Sequence, residues 1–249
     1  MALDLFIKNG LVYTEAGFRK LNIGVRGEKI AVLVVSDQVF NAPKTIDARG
    51  MHIFPGFIAH HVHLHEPGVE YKEDFYNESC AFANSGVTMV CPQPDLKSDS
   101  LRGSILDFSY DIPPDAYKDY DDTDYRFADE YVLGDYFGHI LISQANEGDY
   151  SYEKLVDITS RNFAKTMGFY PRKGAILVDT DADFTIVDMN EKWTISKDDI
   201  VHSKTQTIPD IGRKLHGKAK YTILRGRVIM ENGVVDCAPG YGKFIKPGE

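Results

Sequence analysis

The stretch Phe54-Pro55-Gly56-Phe57-Ile58-Ala59-His60-His61-Val62-His63-Leu64-His65-Glu66-Pro67-Gly68 carries both the fold and the chemistry of this chain. Phe57 to His63 is an apolar run with histidines toward its end, and it reads as a buried strand. Side chains alternate along a strand, so His61 and His63 share a face, His65 joins them if the strand persists, and His60 takes the other face. Lys72 to Ser85 follows as a helix, with Phe75, Ser79 and Phe82 at three- and four-residue spacing and Gly86 as its stop. Val87 to Cys91 is a second strand, closed by Pro92 and Pro94. Strand, helix, strand is the alternation of a parallel α/β sheet or barrel.

Two imidazoles on one face, about 7 Å apart along a strand, can share a divalent ion. A bare His-x-His also has a plainer reading, as exposed or packed histidines. What favours the metal is position: the pair sits at the C-terminal mouth of a β-strand, followed by Pro67-Gly68 and a helix, where α/β enzymes hold their chemistry.

Working outward, the first fifty residues read as short strands. Leu5 to Ile7, Leu11 to Tyr13, Leu21 to Val25 and Ile30 to Val35 are separated by turns at Asn9-Gly10, Gly17 and Gly27-Glu28. Downstream, Ile105 to Tyr110 reads as a further strand. Residues 111–135 are crowded with Asp and Tyr, hold Pro113-Pro114, and form an irregular acidic loop. Asp119, Asp121, Asp122 and Asp124 resemble a calcium loop only in charge, since the turn glycine and terminal glutamate are missing. Order returns at His139. Ser151 caps a helix running to Met167, with Val156, Thr159, Phe163 and Met167 on one face and Gly168 at its end. Beyond Pro171 the chain is β-rich again, with strands at 175–178, 184–188, 221–225 and 227–230.

Composition excludes several classes. The 249 residues are 43% hydrophobic and 26% charged, ordinary for a globular protein. A net charge of −9 disfavours nucleic acid and anionic membrane, both of which need clustered Lys and Arg. Cys80, Cys91 and Cys237 form no Cys-x-x-Cys pair and fit reduced thiols in the cytoplasm. The start of the chain has no basic stretch before an apolar run, so no secretory signal is expected there, and the longest strongly apolar stretch, 30–35, is too short to span a bilayer.

Pro55-Gly56-Phe57-Ile58, His61-Val62-His63-Leu64, Glu66-Pro67-Gly68, Lys72-Glu73-Asp74-Phe75 and Gly86-Val87-Thr88 resemble the first barrel strand and helix of dihydroorotases and allantoinases. Residues 159–165, Gly168-Phe169-Tyr170-Pro171-Arg172-Lys173-Gly174, Asp181-Ala182-Asp183-Phe184, Trp193-Thr194-Ile195 and 221–226 resemble the last barrel helix and its exit in hydantoinases and dihydropyrimidinases. The two resemblances cover about 3–95 and 139–246, in family order. They imply the cyclic-amide hydrolase group of the amidohydrolase superfamily. In that group a (β/α)₈ barrel holds one or two zinc-like ions at its mouth, and a metal-bound hydroxide attacks the ring amide while an aspartate moves the proton.

The ligands implied by the resemblance are the first-strand histidine pair, a carboxylated lysine, two later histidines and an aspartate. Only the pair maps here, as His61 and His63. The 57–171 span is under half of the roughly 250 residues of a full barrel. The family's aspartate before the first ligand is Ala59. Its substrate-carboxylate arginine and asparagine are His65 and Asp95, a pair that recognises a carboxylate poorly because Asp repels it. His139 is expected to serve packing or surface rather than a metal.

The expected fold is therefore α/β plus β: a truncated (β/α) barrel-like layer over 56–171, beside a discontinuous β-sandwich made by 1–55 and 172–249. The open edges of the layer are covered by the acidic loop, by a partner chain, or left as an aggregation hazard. The expected function is metal-dependent hydrolysis of cyclic amide C–N bonds, curtailed by the lost ligands. One divalent ion, zinc by resemblance, is weakly held by His61 and His63, with His65 and Asp95 toward a small cyclic amide or ureide. The alternative is a non-catalytic, dihydropyrimidinase-like scaffold or interaction protein. A homo-oligomer is expected in either case.

Overall fold

A computed structural model describes residues 2–35, 37–62, 74–92, 104–109, 134–204 and 209–248. Strands β1 (Leu5–Thr14), β2 (Gly17–Arg26), β3 (Lys29–Val35), β4 (Lys44–Asp47) and β5 (His52–Pro55) come from the start of the chain. After them come β6 (Phe57–Val62), β7 (Val87–Pro92) and β8 (Asp107–Phe108), and from the end β9 (Phe184–Thr194), β10 (Lys214–Leu224), β11 (Arg227–Glu231) and β12 (Val234–Val235). The two ends join in one nine-stranded sheet, in the order β12-β11-β10-β9-β5-β1-β2-β3 with β4 against β1. The seam is the antiparallel β5–β9 pair, His52↔Val187 to Pro55↔Phe184.

One apolar cluster gathers Leu5, Ile7, Val12, Ile23, Val25, Ile30, Ile46, Ile53, Phe184, Ile186 and Ile223. Its members come almost wholly from this one sheet, so the sheet coils until its own inner face becomes a core, as strongly twisted sheets do. The other face packs on the α/β layer through Phe54, Val187, Met189 and Leu224 against Phe57, Phe82, Leu141 and Leu155.

In the layer, β6, β7 and β8 are parallel neighbours. Helix α1 (Phe75–Asn84) links β6 to β7; Asp74 caps it by accepting from the Asn77 N–H at 2.8 Å. Helix α2 (Phe137–Glu147) ends on left-handed Gly148. Then α3 (Tyr152–Val156), a π-helical turn (Asp157–Arg161) and α4 (Asn162–Thr166) run end to end. Ser151 caps this run, and Val156, Thr159, Phe163 and Met167 are buried along it. Ser160 Oγ donates to the Gly56 carbonyl at 3.1 Å, tying the π-helical turn to the entry of β6.

Three sequence readings need correction. The Asn9-Gly10 turn is a bulge within one continuous β1: Asn9 takes φ 64°, and its N–H donates to Asn22 Oδ1 at 2.8 Å. Residues 175–178 form no strand. Leu177 and Val178 are exposed, and the Leu177 carbonyl accepts from Thr180 Oγ at 2.8 Å in a turn through positive-φ Asp179. Over the described residues 105–109 the strand is Asp107–Phe108 alone, and at its start Leu106 folds back through its N–H and carbonyl onto the Ser104 hydroxyl.

The β8 edge carries the chain's own residues 243–245. Phe108 N–H donates to the Lys243 carbonyl at 3.0 Å, and Ile245 N–H to the Phe108 carbonyl at 2.8 Å, in a parallel bridge. Of the acidic stretch, 111–133, with its calcium-like aspartates, lies outside the described residues. Asp135 belongs to a short 3₁₀ turn (Gly134–Tyr136), buried, and accepts from the Ser203 N–H at 3.0 Å. No helix of the described residues is long and apolar enough to cross a membrane.

Candidate functional site

In open α/β layers ligands gather at the C-terminal ends of the parallel strands, because the connecting loops diverge there. In this chain those ends are His60-His61-Val62 on β6, Cys91-Pro92 on β7 and Ser109 after β8. The segments that leave them, 63–73, 93–103 and 110–133, lie outside the described residues, and with them His63, His65 and Asp95. Of the histidine pair the structure therefore places His61 alone, exposed at the end of β6. His60 turns inward, its ring 5.1 Å from that of Phe163. Burial, together with the charge of His61, pushes the His60 imidazole down to about 3, so it stays neutral at ordinary pH.

The thiols are poor nucleophiles: burial pushes Cys80 up to about 12 and raises Cys91 as well. His139 is a packing residue, as expected. It lies edge-on to Trp193 at 5.2 Å, and its Nδ1 accepts from the Ala219 N–H at 3.3 Å. Burial, with the charge of Lys218, pushes it down to about 3.

Among the described residues the one group of three acids close enough to share an ion is Asp107, Asp181 and Asp183, whose oxygens lie within 4.8 Å of one another. His61 belongs to no such group. The acids sit at the opposite end of the layer, where the Asp183 carbonyl accepts from the Gly56 N–H ahead of β6. Their shared position is filled by an ammonium. Lys173 Nζ lies 2.6 Å from Asp107, 2.6 Å from Asp183 and 3.0 Å from Asp181, and its side chain is 2% exposed. Arg225, fully buried, forms an ion pair with Asp107 and donates its backbone N–H to Asp183 Oδ1 at 2.8 Å. Lys29 and Arg172 close on Asp181 from the rim.

The electrostatics follow. Burial alone would raise the Asp181 carboxyl, but Lys173, Lys29 and Arg172 outweigh it and hold it below the usual carboxylate range. For Asp183, burial and the adjacent Asp181 win over Lys173, and its carboxyl is raised. This ionic centre was not picked out from the sequence. The signal present was charge set against apolar runs, Asp181-Ala182-Asp183 before Phe184 and Arg225 after Ile223-Leu224; nothing in it pointed to Asp107 or to the central lysine. At the strands' N-terminal end such a network serves stability rather than chemistry.

A cleft between Tyr13, Glu15, Arg161, Tyr170 and Leu177 has ≈ 20 Å³ of free volume, about one water's worth, so it takes no ring substrate.

Comparison with known proteins gives two kinds of likeness. No family model matches the chain. Dihydropyrimidinase 1 of Caenorhabditis elegans is 45% identical over 92 residues, which is 37% of this chain and 19% of that protein. Dihydroorotase of Staphylococcus aureus is 38% identical over 91 residues, 36% of this chain and 22% of that one. The chain thus spans about a fifth of the length of the curated relatives it matches. Among solved structures, L-hydantoinase (dihydropyrimidinase) of Arthrobacter aurescens superposes with a TM-score of 0.84 at 15% identity, covering 98% of this chain and 100% of that one. Dihydropyrimidinase of Brevibacillus agri gives 0.80 at 16%, covering 97% and 98%. At such identities the superpositions speak for the fold.

Proposed function

The chain is a relative of the cyclic-amide hydrolase group, and from that premise we propose that it derives from a metal-dependent hydrolase of cyclic amide C–N bonds. The ring class is that of hydantoins, dihydropyrimidines, allantoin and dihydroorotate. At its present length it turns such rings over far more slowly than a full-length member, or not at all.

One observation carries the second half. The outer edge of β8, where a barrel would seat its next parallel strand, holds the chain's own residues 243–245. Among the described residues no parallel strand follows β8 on that edge, and none there offers a place for the ligands that later strands contribute.

Ring-amide hydrolysis needs an activated water, a polarised carbonyl and a group to pass a proton to the leaving nitrogen. A bound zinc-like ion would supply the first two. The donor type fits such an ion, and His61 and His63 are the residues proposed to hold it, weakly. The described residues do not complete a ligand set around His61, so no step is derived through the metal. His65 and Asp95 are proposed to face the substrate. For the proton, the acids of the ionic centre do not serve, since Lys173 holds them at the other end.

The same self-sealed edge favours the second reading, a dihydropyrimidinase-like protein that keeps the coiled sheet and works as a scaffold, as a homo-oligomer. The test is turnover of hydantoin, dihydrouracil, allantoin and dihydroorotate with added zinc, manganese or cobalt. The expected result is a rate far under the usual enzyme range. Metal-dependent turnover on the order of 1 s⁻¹ or more that vanishes in His63→Ala overturns it.

A further inference from the structure

The last residues of the chain behave as a strand rather than a tail. After the exposed hinge Ala238-Pro239-Gly240, Gly242 N–H donates to the Ser104 carbonyl at 3.0 Å. Lys243 N–H donates to Asp107 Oδ1 at 3.0 Å, and Phe108 and Ile245 exchange backbone bonds as described. Tyr241 lies under Arg225 and Arg227, whose guanidinium groups are 4.6 and 5.0 Å from its ring centre. Only Ile245 is buried, 1% exposed, among Ile58, Met89, Cys91, Phe163, Met167 and Phe169. Phe244 and Lys246 on either side of it are exposed. The segment is thus held by edge bonds, one apolar plug and one aromatic clamp, with an ion pair from Lys243 to Glu28 at 2.6 Å, a bond from Arg225 to the Tyr241 carbonyl at 2.8 Å, one from the Tyr241 hydroxyl to the Leu224 carbonyl at 3.2 Å and one from the Gly248 N–H to the Gly168 carbonyl at 2.9 Å, and it leaves the sheet through the exposed residues 238–240.

We infer that residues 241–248 are a displaceable closing strand, which occupies in cis a strand-addition site formed by the β8 edge and the Ile245 socket. Its occupant is this chain's own segment, read in parallel. Two features match the site to it. Gly242 passes so close to β8 that a Cβ there would lie 2.0 Å from the Leu106 carbonyl oxygen, so this position admits only glycine without a backbone shift. The Ile245 socket is lined from both strands β6 and β7 and from the 152–166 helix, so the plug seats where these three elements meet. A second strand can reach the β8 edge only after the segment leaves. The inference rests on the observed edge and not on the proposed activity.

The experiment follows amide hydrogen exchange in the full-length chain, in Gly242→Ala, and in a chain ending at Pro239, with a synthetic peptide of residues 240–249 as probe. The expected result is faster exchange at Phe108, by roughly 10-fold or more, in both variants, while the β1–β2 amides keep their protection. Peptide added to the shortened chain restores Phe108 protection saturably. If the shortened chain fails to fold, Gly242→Ala alone decides, because it changes one methyl. Unchanged exchange at Phe108, a loss spread equally over β1–β2, or a peptide that restores nothing overturns the inference, as does unfolding of both variants.

Discussion

Replacing Lys173 by Met keeps the length of the side chain and removes the one charge at the centre of the ionic cluster. Lys173 Nζ touches three carboxylates at 2.6, 2.6 and 3.0 Å, and all four side chains are 6% exposed or less. Solvent cannot take over its role. Breaking a buried ion pair by deleting one partner costs about 3–5 kcal/mol, because the other charge stays buried and unpaired. Arg225 still pairs with Asp107, and Lys29 and Arg172 with Asp181, so the lower half of that range applies to those two and the full penalty falls on Asp183. Against a total stability of about 5–15 kcal/mol, the variant should be folded but weak, with a midpoint lower by roughly 10 °C.

The sign with pH separates this account from a plain packing loss. In the wild type Asp181 is held below its ordinary value, so its contribution is full above that value and fades as pH falls through the depressed one. Without the ammonium, burial and mutual repulsion raise the carboxyls. The variant's native state then binds protons at higher pH than the wild type's, so acid favours it relatively. Urea unfolding followed by circular dichroism at pH 7 and pH 5 should show the gap narrowing on acidification. Excess calcium should stabilise the variant and leave the wild type unmoved, since the three oxygens are then free to share an ion. A variant within about 1 kcal/mol of wild type, or a gap that widens at pH 5, would refute the reasoning.

His139, pushed down to about 3 against an ordinary 6.5, stays neutral in the fold and protonates when unfolded, so its contribution is full above 6.5 and is lost as pH falls toward 3. His139→Asn retains an acceptor for the Ala219 N–H and should remove about 2 kcal/mol of the destabilisation between pH 7 and pH 5, read from paired urea titrations; an unchanged pH slope counts against it. Calorimetric zinc titration should give weak binding that His61→Ala abolishes. Nanomolar affinity would mean that ligands beyond His61 and His63 complete the site.

Legibility divided along physical lines. Local pattern sufficed where a residue's role depends on its near neighbours. Asp74 and Ser151 sit at helix starts, the face Val156-Thr159-Phe163-Met167 is buried, and β6-α1-β7 is a parallel unit. The motifs at 55–68 and 168–184 pointed to the cyclic-amide hydrolase group, and the likeness to dihydropyrimidinase, dihydroorotase and hydantoinase agrees. Pattern failed where a backbone group's partner lies far along the chain. Asn9-Gly10 carries the composition of a turn and becomes a bulge, because Asn22 and Ile53 on neighbouring strands hold β1 straight through it. Residues 175–178 have strand composition but no strand to pair with. Lys173 meets Asp107 across 66 positions, and Arg225 meets it across 118, so neither pair leaves a mark in any window of sequence. The seat of the tail on β8 is the extreme case: an edge has no composition of its own, and which segment fills it is settled by where the coiled sheet releases the chain after β12, within reach of an open row of hydrogen-bonding groups that burial requires to be paired.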